Sequence, residues 1–274
     1  MVLPESFPVG DQEVRWGRYG DGPPLVFCHG TPWASALWSR VAGAVGEGRT
    51  VYLWDMLGYG TSTMAEGDVS LGAQGRILAD LLQHWCTDWG LDAPDVVAHD
   101  YGGAVALRAH LLHGATYRSL ALVDVVALAP WGSDFFRLVA GHADVFGRLP
   151  GRLHEALVRA YVAGAAHRPL RAEDVDALVT PWLGASGQAA FYRQIAQADQ
   201  RWTDEVEPLY PSLDLPVQVV WGTEDTWIPV DRAHRLARLI PGARLDLVEG
   251  AGHLIQLDAP ERLTAILLRW LADR

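Results

Sequence analysis

The feature that most constrains this chain is an alternation. Apolar or β-branched runs, "PLVFCHG", "TVYLWD", "DVVAHD", "LALVD" and "PVQVVWG", are bounded by Gly, Pro, Asp or His. Stretches with apolar residues at helical spacing lie between several of them, at 70–85, 102–113, 230–239 and 260–272. A run that is apolar on both of its faces needs cover on both sides, the condition of a parallel sheet with helices above and below. Two further runs, "EVRWGRY" and "ARLDLVE", extend the sheet. The predicted fold class is α/β, with a doubly wound, mostly parallel sheet. A chain of 274 residues with 50% hydrophobic composition can bury one large core, or a core with a smaller insertion.

The alternation stops from about Pro130 to Pro208. There "FFRLVAGHADVFGRLPGRLHEALVRAYVAGAA" and "GQAAFYRQIAQADQRWTDEVEP" predict helices with no strand between them. We expect a core of residues 1–129 and 209–274 and a helical cap of residues 130–208. Because the insertion follows "LALVD" and precedes "PVQVVWG", it should lie over the carboxyl edge of the sheet, where open α/β folds bind ligands.

Composition removes several function classes. A formal charge of −11 spread along the chain opposes nucleic acid and anionic membrane surfaces. The start "MVLPESFPVG" has neither a basic region nor an apolar core, and no run approaches the ~20 apolar residues of a membrane span, so a soluble cytoplasmic protein is expected. All 22 basic residues are arginine, which excludes a phosphate-loop lysine and a Schiff-base lysine. Cys28 and Cys86 are far apart and read as free thiols. His110 and His113 share a helix face but lack a third ligand. No metal or cofactor is expected, the expected partner is a small-molecule substrate, and the oligomeric state is left open.

The chemistry begins at "VVAHDYGG". Ala98-His99-Asp100-Tyr101-Gly102 follows the strand-to-helix elbow in which small residues at both ends let the central side chain be thrust outward. By itself the pattern also fits an aspartate that caps a helix. Further on, "VVWGTEDTWIP" places Asp225 just after a strand and "VEGAGHLIQLDAPERL" places His253 in a loop after the next one. Nucleophile, acid, histidine is the chain order of hydrolases built on this elbow. In "FCHGTPW" a strand ends at His29-Gly30, so that the backbone N–H groups of Thr31 and Tyr101 could form an oxyanion hole. A serine would need a base to become a nucleophile, whereas an aspartate with a pKa near ~3.9 is already ionised at neutral pH.

With "HGTPW", "HDYGG", "GTEDTWIP" and "GAGH" together, the chain resembles the α/β-hydrolase superfamily, in its aspartate-nucleophile branch of epoxide hydrolases and dehalogenases. The resemblance implies that Asp100 attacks carbon and that His253, oriented by Asp225, activates water against the resulting ester. Haloalkane dehalogenases hold halide between an asparagine after "HG" and a tryptophan after the nucleophile, where this chain has Thr31 and Tyr101. Fluoroacetate dehalogenases carry arginines where this chain has Tyr101 and Ala104. Epoxide hydrolases protonate the leaving oxygen with cap tyrosines, one of them in an aromatic-Tyr-Arg stretch similar to "FYRQ" at 191–194. Tyr192 is therefore the expected acid. The early cap segment "WGSDFFRLV" offers phenylalanines in place of a second tyrosine, and Tyr161 is the substitute.

Asp124 ends "LALVD" at a position from which some relatives supply the acid, and is a candidate backup. Trp33, Trp182 and Trp227 are candidate pocket residues, and His29 and His99 candidate structural hydrogen-bonders. Epoxide opening is the leading activity. Dehalogenation or another hydrolysis through the same intermediate comes second, and a ligand-binding protein without hydrolysis is the alternative from another class.

Overall fold

The structure is a computed structural model that describes residues 2–64 and 66–272. Eight strands form one sheet: β1 (Glu5–Val9), β2 (Gln12–Tyr19), β3 (Pro24–Cys28), β4 (Thr50–Trp54), β5 (Asp95–His99), β6 (Ser119–Val123), β7 (Val217–Gly222) and β8 (Arg244–Val248). Their order is β1-β2-β4-β3-β5-β6-β7-β8, with the β1–β2 and β2–β4 pairings antiparallel and the other five parallel. All seven expected runs are strands. β1 was not expected, because "ESFPV" is short and carries Pro8, a residue tolerated at a sheet edge. It reaches β2 through a hairpin whose Gly10 has φ +63°.

The helices are α1 (Ser39–Val45), α2 (Leu71–Trp89), α3 (Tyr101–His113), α4 (Asp134–Phe146), α5 (Gly151–Ala163), α6 (Ala172–Val179), α7 (Gly184–Ala196), α8 (Arg201–Asp204), α9 (Asp231–Leu239), α10 (Ile255–Asp258) and α11 (Pro260–Ala272). Side chains alternate across the strands, so consecutive residues feed two different cores. Val26, Tyr52, Val96, Ala98, Leu120 and Leu122 pack in the same core as α2 and α3. Leu25, Phe27, Val51, Val97, Ala121 and Val123 pack with α1 and α11. Burial on both faces is what the unbroken apolar runs required.

Helices α4 to α8 occupy the interval between β6 and β7, with no strand among the described residues there. This insertion rests on the loops that leave the strands. Trp182 Nε1 donates to the Pro32 carbonyl at 2.8 Å, and the Gln197 amide bonds the backbone of Val69 and Gly67, both at 2.7 Å. The amides of His167 and Arg168 donate to Asp258, and Arg40 pairs with Asp174 at 2.7 Å. No helix among the described residues is long and apolar enough to cross a membrane.

Candidate active site

Asp100 sits at the turn from β5 into α3 with φ +51° and ψ −122°. A non-glycine residue with positive φ is strained by ~1–2 kcal/mol, which the surrounding packing must hold. The packing leaves no slack. A Cβ on Gly102 would stand 2.6 Å from the carbonyl oxygen of His29, and one on Gly30 would overlap Cβ and Oδ1 of Asp100. The turn thrusts the Asp100 carboxylate toward the β3 loop, where the amide of Thr31 donates to its Oδ1 at 2.7 Å. Tyr101 opens α3, so its amide has no partner four residues back within the helix.

The other carboxylate oxygen of Asp100 lies 3.2 Å from Nε2 of His253, without the alignment of a good hydrogen bond. On the far side of the ring, Nδ1 of His253 is 2.9 Å from Oδ2 of Asp225. The remaining oxygen of Asp225 accepts the amides of Trp227 and Ile228 at 2.8 and 2.9 Å, which fixes its orientation. Burial alone would keep His253 neutral. The charges of Asp225 and Asp100 and their contacts with the ring outweigh burial and raise its pKa well above that of a free imidazole. Burial likewise pushes the Asp100 pKa up, but His253, His99 and the Thr31 amide together leave it below the usual carboxylate value. Asp100 is therefore held ionised in a dry setting.

Asp124 ends β6 with φ +44°, beside the strand that delivers Asp225. Its Oδ1 accepts the amide of Gly222 at 2.9 Å. Burial and then the charge of Asp225 raise its pKa well above the ordinary carboxyl value, which favours its protonated form. Of the neighbouring histidines, His29 accepts the amide of Met56 at Nε2, and His99 contacts the carbonyl of His253 at 2.9 Å. Burial lowers the pKa of both, that of His99 to about 3.

The two candidate tyrosines of the insertion have different surroundings. Tyr192 is buried, and its hydroxyl is tied to Nδ1 of His154 at 2.9 Å. Burial pushes its pKa up to about 12, with no contribution from Asp100. Of the two tyrosines of the insertion, it is Tyr161, on α5, that feels the charge of Asp100. Burial and then the charge of Asp100 raise its pKa well above 10. Its ring lies 4.6 Å from that of Trp227, which in turn stacks 5.1 Å over His253. Of the candidate pocket residues, Trp33 and Trp182 line a cavity of about 210 Å³ at the seam between core and insertion. Trp227 covers His253 and stacks on Trp33 at 5.7 Å.

Two residues were not foreseen. Gln194 on α7 reaches down to accept hydrogen bonds from the hydroxyls of Thr31 at 2.8 Å and Tyr59 at 3.1 Å. Tyr59 lies in the loop after β4, and burial raises its pKa most strongly. No turn grammar marks either of them, because only the docking of the insertion brings them together.

Comparison with known proteins gives these residues a setting. The model of the alpha/beta hydrolase family matches residues 25–266. The crystal structure of an alpha/beta hydrolase fold protein from Burkholderia ambifaria is 45% identical and superimposes with a TM-score of 0.94, over 98% of each chain. Epoxide hydrolase A of Mycobacterium tuberculosis is 26% identical, with 94% of this chain and 92% of that protein covered. Haloalkane dehalogenase 2 of the same organism is 25% identical, with 97% and 96% covered.

Proposed function

The chain belongs to the alpha/beta hydrolase family, and from that premise we propose that it opens epoxides of small hydrophobic substrates through a covalent ester on Asp100. The observation that carries this reading is the Asp100 carboxylate itself. It is ionised, buried, held by the Thr31 amide on one oxygen and faced by His253 on the other, with the Tyr161 hydroxyl in its field.

The chemistry follows from that arrangement. Asp100 attacks an epoxide carbon, the C–O bond breaks, and the alkoxide takes the proton of Tyr161. The product is an alkyl ester of Asp100 that bears a neighbouring hydroxyl. Esterification removes the Asp100 charge that helps to raise the His253 pKa, so the ring gives up its proton to solvent, and neutral His253, its Nδ1–H directed at Asp225, then removes a proton from water that attacks the ester carbonyl. The developing oxyanion falls to the amides of Thr31 and Tyr101, the first of which already stands 2.7 Å from Oδ1. Collapse, with the proton on His253 passing to the leaving ester oxygen, releases a diol and leaves Asp100 as a carboxylic acid, whose proton returns to the Tyr161 oxygen and restores the Asp100 carboxylate. In this reading α4 to α8 act as a cap that keeps the ester from bulk water.

Displacement of halide would use the same nucleophile and histidine, and the dehalogenase relative at comparable identity makes it the second reading. Against it, the Thr31 side chain that stands in the asparagine position is already engaged with Gln194. The deciding experiment is His253→Gln with panels of epoxides and haloalkanes, read by intact mass. An adduct equal to the whole epoxide, mapped to Asp100, is expected. Faster turnover of haloalkanes than of every epoxide would reverse the ranking, and the absence of any adduct would remove the covalent mechanism.

A further inference from the structure

Two polar groups beside Asp100 have no partner in the protein. Gln194 commits its Oε1 to the hydroxyls of Thr31 and Tyr59, and its Nε2 is buried without an acceptor. The hydroxyl of Tyr101 is also buried and unpartnered. Leaving a buried polar group unpaired costs roughly 1–3 kcal/mol, so each such group in a folded protein asks what it is kept for.

Gln194 is linked to Asp100 through Thr31, and Tyr101 follows Asp100 at the start of α3. The amide of Thr31 touches Asp100 at 2.7 Å and its hydroxyl touches Gln194 at 2.8 Å. Burial, and then Tyr59, Asp100 and Tyr161, raise the pKa of the Tyr101 hydroxyl, and of these Tyr59 is the one bonded to Gln194. The steps of epoxide opening use neither group, since Asp100, His253, Tyr161 and two backbone amides account for every bond and proton.

We infer that Gln194 Nε2 and the Tyr101 hydroxyl form a second recognition point, for an oxygen acceptor that the substrate carries next to its reacting carbon. The preferred substrate is then an oxygenated epoxide, such as a glycidyl ether, and a plain alkyl epoxide leaves both groups unpaired. The oxygen is neutral, because a second carboxylate there would meet the ionised Asp100. The inference rests on the epoxide reading, and the test separates the two.

Methyl glycidyl ether and pentene oxide differ only by an ether oxygen in place of a methylene. Their kcat/KM ratio is measured in the wild type, in Tyr101→Phe and in Gln194→Met. Comparing ratios cancels the intrinsic reactivity of the two epoxides. Tyr101→Phe deletes only a hydroxyl that bonds nothing in the protein, so folding is not at stake. The ratio is expected to fall about tenfold in each variant, the effect of one hydrogen bond to a buried group. An unchanged ratio in both overturns the inference. Equal slowing of both epoxides also overturns it, because the two groups would then act on the reacting centre. If neither epoxide forms the Asp100 adduct, the epoxide reading fails on its own. The inference is then read from binding of the two corresponding diols, followed by tryptophan fluorescence. A preference for the ether diol that both variants lose supports it, and equal binding overturns it.

Discussion

Tyr161→Phe and Tyr192→Phe are the same chemical change made at two tyrosines of the insertion, and the structure gives them opposite consequences. Tyr161→Phe keeps the ring, and with it the contacts to Phe135, Phe191 and Trp227. What it removes, in the proposed mechanism, is the proton offered to the leaving oxygen. Burial and Asp100 both raise the Tyr161 pKa, which looks adverse for an acid, but the Asp100 contribution disappears as that carboxylate becomes an ester. Tyr161 thus becomes the stronger acid as the epoxide C–O bond breaks. General acid catalysis by a placed side chain contributes ~10²–10⁴-fold, so alkylation should slow by at least about 100-fold. Tyr192→Phe removes instead the hydrogen bond to His154 at 2.9 Å. That costs ~1 kcal/mol, a fall of about 2 °C in Tm for a chain of this size, with alkylation unchanged. The assay is single-turnover alkylation in the His253→Gln background, which isolates the first step. If Tyr192→Phe slows that step and Tyr161→Phe does not, Tyr161 is not the acid and the reasoning from its position fails.

Asp124→Asn should keep activity within a few-fold and leave Tm nearly unchanged, because an amide still accepts the Gly222 N–H and the raised pKa of Asp124 already favours its neutral form. Asp124→Ala should cost ~1–3 kcal/mol by orphaning that amide, as thermal melts would show, and an Asn variant as inactive as Asp225→Asn would mean that Asp124 carries a charge. The raised pKa of His253 stabilises the fold fully below its unfolded value of ~6.5, and that contribution is lost as pH rises through the folded value. The fall in Tm on the alkaline side should therefore be steeper for the wild type than for His253→Gln, and parallel curves would refute the charged triad. Gly30→Ala drives a methyl into the Asp100 side chain. It should cost ~1–3 kcal/mol of stability and more than tenfold in alkylation rate, and wild-type kinetics would show that the elbow has slack.

What was legible in the sequence divides along a physical line. Asp100, Asp225 and His253 follow strands, in turns whose residues are constrained by backbone conformation, so local grammar announces them. Asp124 and Asp225 were weighed as alternatives, yet β6 and β7 are parallel neighbours with Val123 opposite Val220, and adjacent strands deliver both carboxylates to one place. The orientation of Tyr192 has a different origin. "FYRQ" announces a helix of the insertion but not which face of it looks down. In α7, Tyr192 and Gln194 are two residues apart, and such residues do not share a helix face. Gln194 is the one that reaches Thr31 and Tyr59, so Tyr192 must turn away, into its bond with His154. Tyr161, on α5, has Phe135, Phe191 and Trp227 as its ring neighbours, and these come from three separate parts of the chain. A residue placed by that kind of packing leaves no periodic trace, and only the docked helices reveal it.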